Sequence, residues 1–275
     1  MGILIDSILK DCSNTVPLKK GGQKIVSLTN HSKLGKVVMK TGNFSSTTSL
    51  ERIQREVNLL KSLDTKYFPK CYEFIIDISD NSFIIFEEYI ENKNYSEVKL
   101  FFNSEIKLVN LLKELINALT ILWQKNIVHR DLKPDNILFK YNFQPVIIDL
   151  GIARFLDMDS LTDSFAFTGP CTPVYASPEQ LKNNKNKIDL RTDFFALGII
   201  ILELYLGFHP FHPDKVKKGN YIAENILNNN YIRPESIQST SNNFVVLINT
   251  LLMPQPYLRY RKYDDIINFI DQNWR

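Results

Sequence analysis

Cysteine is scarce in this 275-residue chain: Cys12, Cys71 and Cys171 are odd in number and widely scattered. They draw no disulfide framework and no CxxC or metal-ligand spacing, which excludes a cysteine-stapled secreted module and leaves a reducing compartment as the simplest setting. Long apolar runs are missing too. The longest, Phe195 to Phe208, carries Glu203 and is too short to span a bilayer. The opening MGILIDSILKDCSN has no basic leader ahead of a long apolar region, and Asp6 stands where a myristoylation signal wants Ser or Thr. Neither a secretory signal nor a lipid anchor is therefore expected. An excess of one charge is also absent: 33 Lys and Arg stand against 30 Asp and Glu, a formal net charge of +3. That balance argues against nucleic acid or an anionic membrane as the main partner. No internal repeat or low-complexity block is visible. A soluble, cytoplasmic protein is the expectation.

What is present is a large hydrophobic complement, 44% of residues with 12% aromatic, enough for one large domain or two small ones. The first 90 or so residues alternate turns with β-rich runs: GGQKIVSLTN, KVVMK, CYEFIIDIS and SFIIFEEYI, with NHSKLG and SDNS as turns. Between them SLERIQREVNLLKSL places Leu50, Ile53, Val57, Leu60 and Leu63 on one helical face. From about residue 104 the period turns helical. EIKLVNLLKELINALTILWQK repeats apolar residues at three- and four-residue steps. Two short β runs follow, NILFK and PVIIDLG, and then DFFALGIIILELYLG, apolar almost all round and so expected to be buried. Amphipathic stretches close the chain near 243–253 and 263–272. The reading is α+β: a small β-rich lobe crossed by one helix, about residues 17–90, then a larger helical lobe, about 91–275.

The stretch that carries chemistry is His129-Arg130-Asp131-Leu132-Lys133-Pro134-Asp135-Asn136. Here the chain resembles the eukaryotic-like (Hanks-type) Ser/Thr protein kinase family, whose catalytic loop HRDLKPDN matches without a substitution. The resemblance implies a bilobal fold and transfer of the γ-phosphoryl group of ATP to a protein hydroxyl, with Mg2+ or Mn2+ as the metal. Phosphoryl transfer needs positioning and charge compensation more than covalent chemistry. In that reading Asp131 accepts or orients the proton of the attacking hydroxyl, and Lys133 approaches the γ-phosphate. Asn136 reaches the metal. Lysine two residues after the Asp resembles Ser/Thr rather than tyrosine kinases. Asp149-Leu150-Gly151 resembles the family's D-F-G with Leu in place of Phe, and its carboxylate supplies the anionic oxygen a hard cation wants.

Upstream, VVMK ends in Lys40, which resembles the third-strand lysine on the α- and β-phosphates. Glu56, in R-E-V-x-L-L, resembles the helix glutamate that pairs with it, so a Lys40–Glu56 ion pair is expected. The glycine loop departs from the pattern. Anchored on Val26, G-x-G-x-x-G-x-V falls on Lys19, Gly21 and Lys24, so the middle glycine survives with Gly22 beside it. Lys19 and Lys24 either offset lost backbone contacts with charge or face solvent. Backbone near Glu88 and Ile90 is expected to meet adenine, with the polar Glu87 as gatekeeper.

Thr168-Gly-Pro-Cys-Thr-Pro-Val-Tyr-Ala-Ser-Pro-Glu179 resembles the end of an activation segment, with Cys171 in place of the usual glycine. Thr172 would bridge Asp131 and Lys133, Glu179 would pair with Arg259, and Asp193 would hold the catalytic-loop backbone. Thr168 is the candidate phosphorylation site, faced by Arg130 and Arg154, with Ser160, Thr162 and Ser164 as rivals in the same loop. The resemblance runs from about Gly21 to Arg259. Residues 1–16 have no counterpart and read as an N-terminal extension, either a short amphipathic docking helix or a tail, ahead of a kinase domain over 17–275. Two other classes stand beside an active protein kinase. One is a pseudokinase scaffold with a degraded glycine loop, the other a small-molecule kinase of related fold.

Overall fold

Strands fill the early part of the chain because β-branched and aromatic residues alternate there between turn-forming Asn, Ser and Gly. The computed structural model describes residues 3–20, 24–151, 154–155 and 172–274. It divides into two units, residues 1–92 with 146–151, and residues 93–145 with 152–275.

In the first unit, helix α1 (Ile3–Leu9) precedes strands β1 (Cys12–Lys20), β2 (Lys24–His31) and β3 (Gly35–Asn43). Helix α2 (Thr47–Lys61) then leads to β4 (Cys71–Asp77) and β5 (Ser82–Glu88). The five strands form one antiparallel sheet in the order β1-β2-β3-β5-β4. Alternation gives the sheet two faces. On one, Phe83 and Ile85 pack with Ile53 and Val57 of α2. On the other, Val37, Met39, Ile84 and Phe86 enclose Ile5 of α1, which is buried. α2 starts at a capping box, Ser46 Oγ accepting from Ser49 N (3.1 Å) and Ser49 Oγ from Ser46 N (3.0 Å).

Of the two readings of the N-terminal extension, a docking helix and a tail, residues 3–9 take the helical one. α1 is docked on the sheet of its own unit, and β1 pairs with β2 from Cys12 onward, so position 17 falls inside a strand. The 146–151 segment joins this unit as well, Ile147 N donating to Tyr67 O (2.8 Å).

The second unit begins with α3 (Tyr95–Phe101) and α4 (Glu105–Trp123), followed by the short strands β6 (Ile127–Val128), β7 (Ile137–Phe139) and β8 (Pro145–Ile147, whose last two residues belong to the first unit). β9 (Arg154–Phe155) pairs with β6. Helices α5 (Pro178–Leu181), α6 (Leu190–Leu206), α7 (Pro213–Val216), α8 (Ile222–Leu227), α9 (Asn242–Leu251) and α10 (Tyr263–Asn273) complete it. α6 is the central helix, buried from Thr192 to Leu202. At Gly198 it comes so close to α9 and the residue after it that an added methyl would lie 2.9 Å from Leu252 Cδ2 and 3.0 Å from Leu251 Cβ. Among the described residues no helix is long and apolar enough to cross a membrane.

Candidate active site

The loop after β6 is shaped by backbone, not by side-chain packing alone. Arg130 adopts a left-handed conformation (φ 71°), which a non-glycine residue holds only where its surroundings fix it. Asp193, near the start of α6, does the fixing. Its Oδ1 accepts from Arg130 N (2.9 Å), and its Oδ2 accepts from His129 N and Trp123 Nε1 (both 2.9 Å). Burial pushes the Asp193 carboxyl above its ordinary pKa, while the His129 charge and these three donors pull the other way. Gln180 Nε2 donates to Arg130 O (2.8 Å), so both backbone polar groups of Arg130 are bound.

The strained turn presents Asp131. Its Oδ1 accepts from Thr172 Oγ1 (2.6 Å) and Thr172 N (3.1 Å), and its Oδ2 from Lys133 Nζ (2.7 Å) and Asn136 Nδ2 (3.0 Å). Lys133 Nζ also donates to Thr172 Oγ1 (2.6 Å). The hydroxyl of Thr172 therefore bridges Asp131 and Lys133, across some 40 residues of chain. Asn136 Nδ2 donates a second bond to Asp131 O (2.9 Å), which spends the amide nitrogen on the loop and leaves the carbonyl oxygen as the ligating atom.

Two further arrangements hold the segment after Thr172. Glu179 and Arg259, 80 residues apart, meet in a two-pronged ion pair (Nη1–Oε1 2.7 Å, Nη2–Oε2 2.9 Å) with both residues buried. Thr192 Oγ1 donates to Glu179 Oε1 (3.0 Å), and Arg259 Nε to Met253 O (2.7 Å). Sequence reasoning missed a second set. Tyr175 Oη donates to Glu203 Oε2 (2.7 Å), and His209 Nε2 donates to Val174 O (2.8 Å) while its Nδ1 accepts from Phe211 N (3.3 Å). Burial lowers the His209 pKa to about 4 against the help of the Val174 bond, and raises that of Glu203. The signal for Glu203 was in plain view, a lone carboxylate inside an apolar run.

In the first unit the ion pairs differ from the expected one. Lys40 Nζ bonds Glu87 Oε1 (2.7 Å), and Glu56 is instead bonded by Lys24 Nζ. The cause is strand register. Val26 lies opposite Lys40, and Lys24 is two residues along β2, so both ammonium groups project from the α2-facing side of the sheet. Glu87, opposite Val38, projects from that side too and reaches Lys40 first. Burial alone would lower the Lys40 pKa, but the carboxylates of Glu87, Glu56 and Asp149 outweigh it and hold it above the ordinary lysine value. Asp149 has a left-handed backbone (φ 69°), and its Oδ1 accepts from Gly151 N (3.1 Å). A side chain at Gly151 would meet Asp149 Oδ1 at 3.0 Å and Glu56 Oε2 at 3.5 Å, so glycine there admits both carboxylates. Glu88 N is spent on Lys70 O (2.8 Å), which leaves an adenine edge the carbonyl of Glu88 rather than its N–H. Ile90 is buried and Val26 half-buried.

Gly21, Gly22, Thr168 and its rivals Ser160, Thr162 and Ser164 lie outside the described residues, as do the side chain of Arg154 and residue Cys171.

The sequence profile of the protein kinase domain matches residues 20–269. The chain belongs to the protein kinase family. Among its relatives, the Serine/threonine-protein kinase atg1 of Dictyostelium discoideum is 29% identical over 71% of this kinase and 29% of its own length. A probable myosin light chain kinase of the same organism is 27% identical over 88% of this kinase and 77% of its own length. The Serine/threonine-protein kinase cds1 of Schizosaccharomyces pombe is 30% identical over 78% and 46%. This kinase thus spans well under two thirds of atg1 and cds1.

Proposed function

We propose that this kinase is active and transfers the γ-phosphoryl group of Mg-ATP to Ser and Thr hydroxyls of protein substrates in the cytoplasm. The observation that carries the reading is the Asp131 carboxylate, which accepts four bonds from Lys133, Asn136 and Thr172, with a fifth tying Lys133 to Thr172. An incoming hydroxyl gives its proton to Asp131, while the adjacent Lys133 ammonium meets developing charge on the transferred group. Lysine at 133 and the Thr172 bridge favour Ser/Thr over Tyr acceptors.

Taken one by one, two residues offer donor atoms suited to a hard divalent cation. Asn136 offers a carbonyl oxygen, its nitrogen being committed to Asp131, and Asp149 offers an anionic oxygen. Among the described residues no three His, Cys, Asp or Glu side chains converge, so such an ion would complete its shell from phosphate oxygens and water. When bound, the ion neutralises phosphate charge. The cationic and acidic cluster of Lys24, Lys40, Glu56 and Glu87, with the Glu88–Ile90 backbone and Val26, is assigned to the nucleotide. Thr168, by its eleven-residue spacing from Glu179, is assigned as an activating phosphosite, checked by peptide mass spectrometry before and after ATP incubation.

Radiolabelled ATP with a generic basic protein, followed by phosphoamino-acid analysis, tests the reading. We expect label on Ser and Thr, and a loss of about a hundredfold or more in Asp131→Asn with nucleotide binding retained. Nucleotide binding with no transfer to any protein would make the chain a scaffold, and full turnover in Asp131→Asn would remove the role given to Asp131.

A further inference from the structure

Two positions in the first unit depart from what the family resemblance implies, a lysine where the last glycine of the loop should stand and a carboxylate at the gatekeeper. In the structure they are one feature. Glu87 is almost completely buried, and a buried carboxylate needs a cation at hand. Lys40 supplies it at 2.7 Å. With Lys40 bonded to Glu87, Glu56, also buried and beside Asp149, keeps only a longer-range attraction to Lys40, and Lys24 supplies the cation bonded to it. Two cations and one carboxylate of one sheet face, with the α2 carboxylate Glu56, thus pair crosswise to the expected scheme, and each departure accounts for the other.

Geometry ranks the two lysines. The Lys24 side chain keeps 18% of its surface exposed against 10% for Lys40, and Lys24 directly follows Gly21-Gly22-Gln23, the segment that resembles the phosphate-covering loop. We propose that Lys24, as the partner of Glu56, makes the main lysine contact with ATP phosphates in this kinase, and that Glu87 leaves Lys40 the lesser one. The inference rests on the nucleotide side of the proposed function and names its residue. Asp149 and Glu56 lie beside the pair, so α2 is registered by a lysine from β2 rather than from β3.

The test is calorimetric titration of the full chain with ATP and Mg2+, read beside turnover. Lys24→Met should weaken ATP binding by about tenfold or more, the scale of one charge-assisted hydrogen bond, and by clearly more than Lys40→Met. Lys24→Arg should recover most of the loss. The decisive variant exchanges both departures at once. In Lys24→Gly with Glu87→Met, Lys40 is released to Glu56, so ATP affinity should return to within about threefold of wild type. In that background Lys40→Met should now remove binding. If Lys40→Met costs as much affinity as Lys24→Met, or if the double variant binds ATP no better than Lys24→Gly alone, the proposal is wrong. Should Lys24→Met fail to fold, the double variant and its Lys40→Met derivative still decide. Binding is read without transfer: a chain that needs Lys24 for ATP but phosphorylates nothing sinks the kinase reading alone. Efficient transfer with no need of Lys24 sinks only the lysine assignment.

Discussion

Thr172 and His209 show how single side chains set the chemistry available to the catalytic loop. Removing the Thr172 hydroxyl takes one short bond each from Asp131 and Lys133, so Thr172→Ala should lower kcat by about 10–100-fold, and Thr172→Ser should restore most of it. His209 makes a pH prediction. Its neutral ring is satisfied on both nitrogens, and a second proton on Nδ1 would be set against the Phe211 N–H. The folded pKa, about 4, lies below the ordinary imidazole value, so the unfolded chain takes up the proton first and folding stability falls as pH drops from about 6.5 to 4. The ceiling on this loss is about 3 kcal/mol, less whatever the partly exposed ring recovers from solvent. Thermal unfolding across that range should show a shallower pH slope in His209→Gln, which keeps a donor for Val174 O. The Asp131 and Lys133 pairing was legible in the sequence because neighbours in one short loop have few ways to turn, whereas the Thr172 bridge, some 40 residues away, was expected only from the family resemblance. The partners of Lys24 and Lys40 were not, because they depend on which strand lies beside which.

Helices and strands read unevenly for a related reason. α4 and α6 are long and their apolar periods are strong, so existence and type followed from pattern alone, with only the ends shifting by a few residues. α1 and β1 left little signal. β1 is an edge strand, CSNTVPLKK, with a proline, two register shifts and a left-handed Asn14, all features that suit an unpaired edge and erase alternation. Its companion α1 is anchored by the buried Ile5, with Ile8 and Leu9 packed beside it. Ile5→Ala should cost about 2–4 kcal/mol in urea denaturation, a value that a merely tethered helix would not reach. α6 yields the opposite kind of test. Alanine is the better helix former by about 1 kcal/mol, yet Gly198→Ala should lower stability by about 1–3 kcal/mol, because Leu251 and Leu252 occupy the space a methyl would need. A rise in melting temperature would mean that the end of α9 gives way.

Across the whole molecule, the second unit is closed by a bond between distant parts of the chain. Arg259→Met should cost about 3–5 kcal/mol, since it leaves Glu179 buried without its cation. Arg259→Met with Glu179→Leu should recover much of that, and equal losses in the single and double variants would show that the packing around Phe195, not the charge, is what matters. The bilobal architecture was legible because strands precede helices along the chain. The return of residues 146–151 to the first unit was not, because six residues that begin inside a short strand carry no sign of which neighbours they join. That return has a consequence for synthesis on the ribosome. The first unit has most of its chain by Asn92, but its Tyr67 carbonyl waits for Ile147, and Glu56 waits for the Asp149 carboxylate and the glycine beside it. At about 5–20 residues per second the last of these arrive about 3–12 s later, so the nascent unit must persist for that interval with the contacts of Tyr67 and Glu56 unfinished.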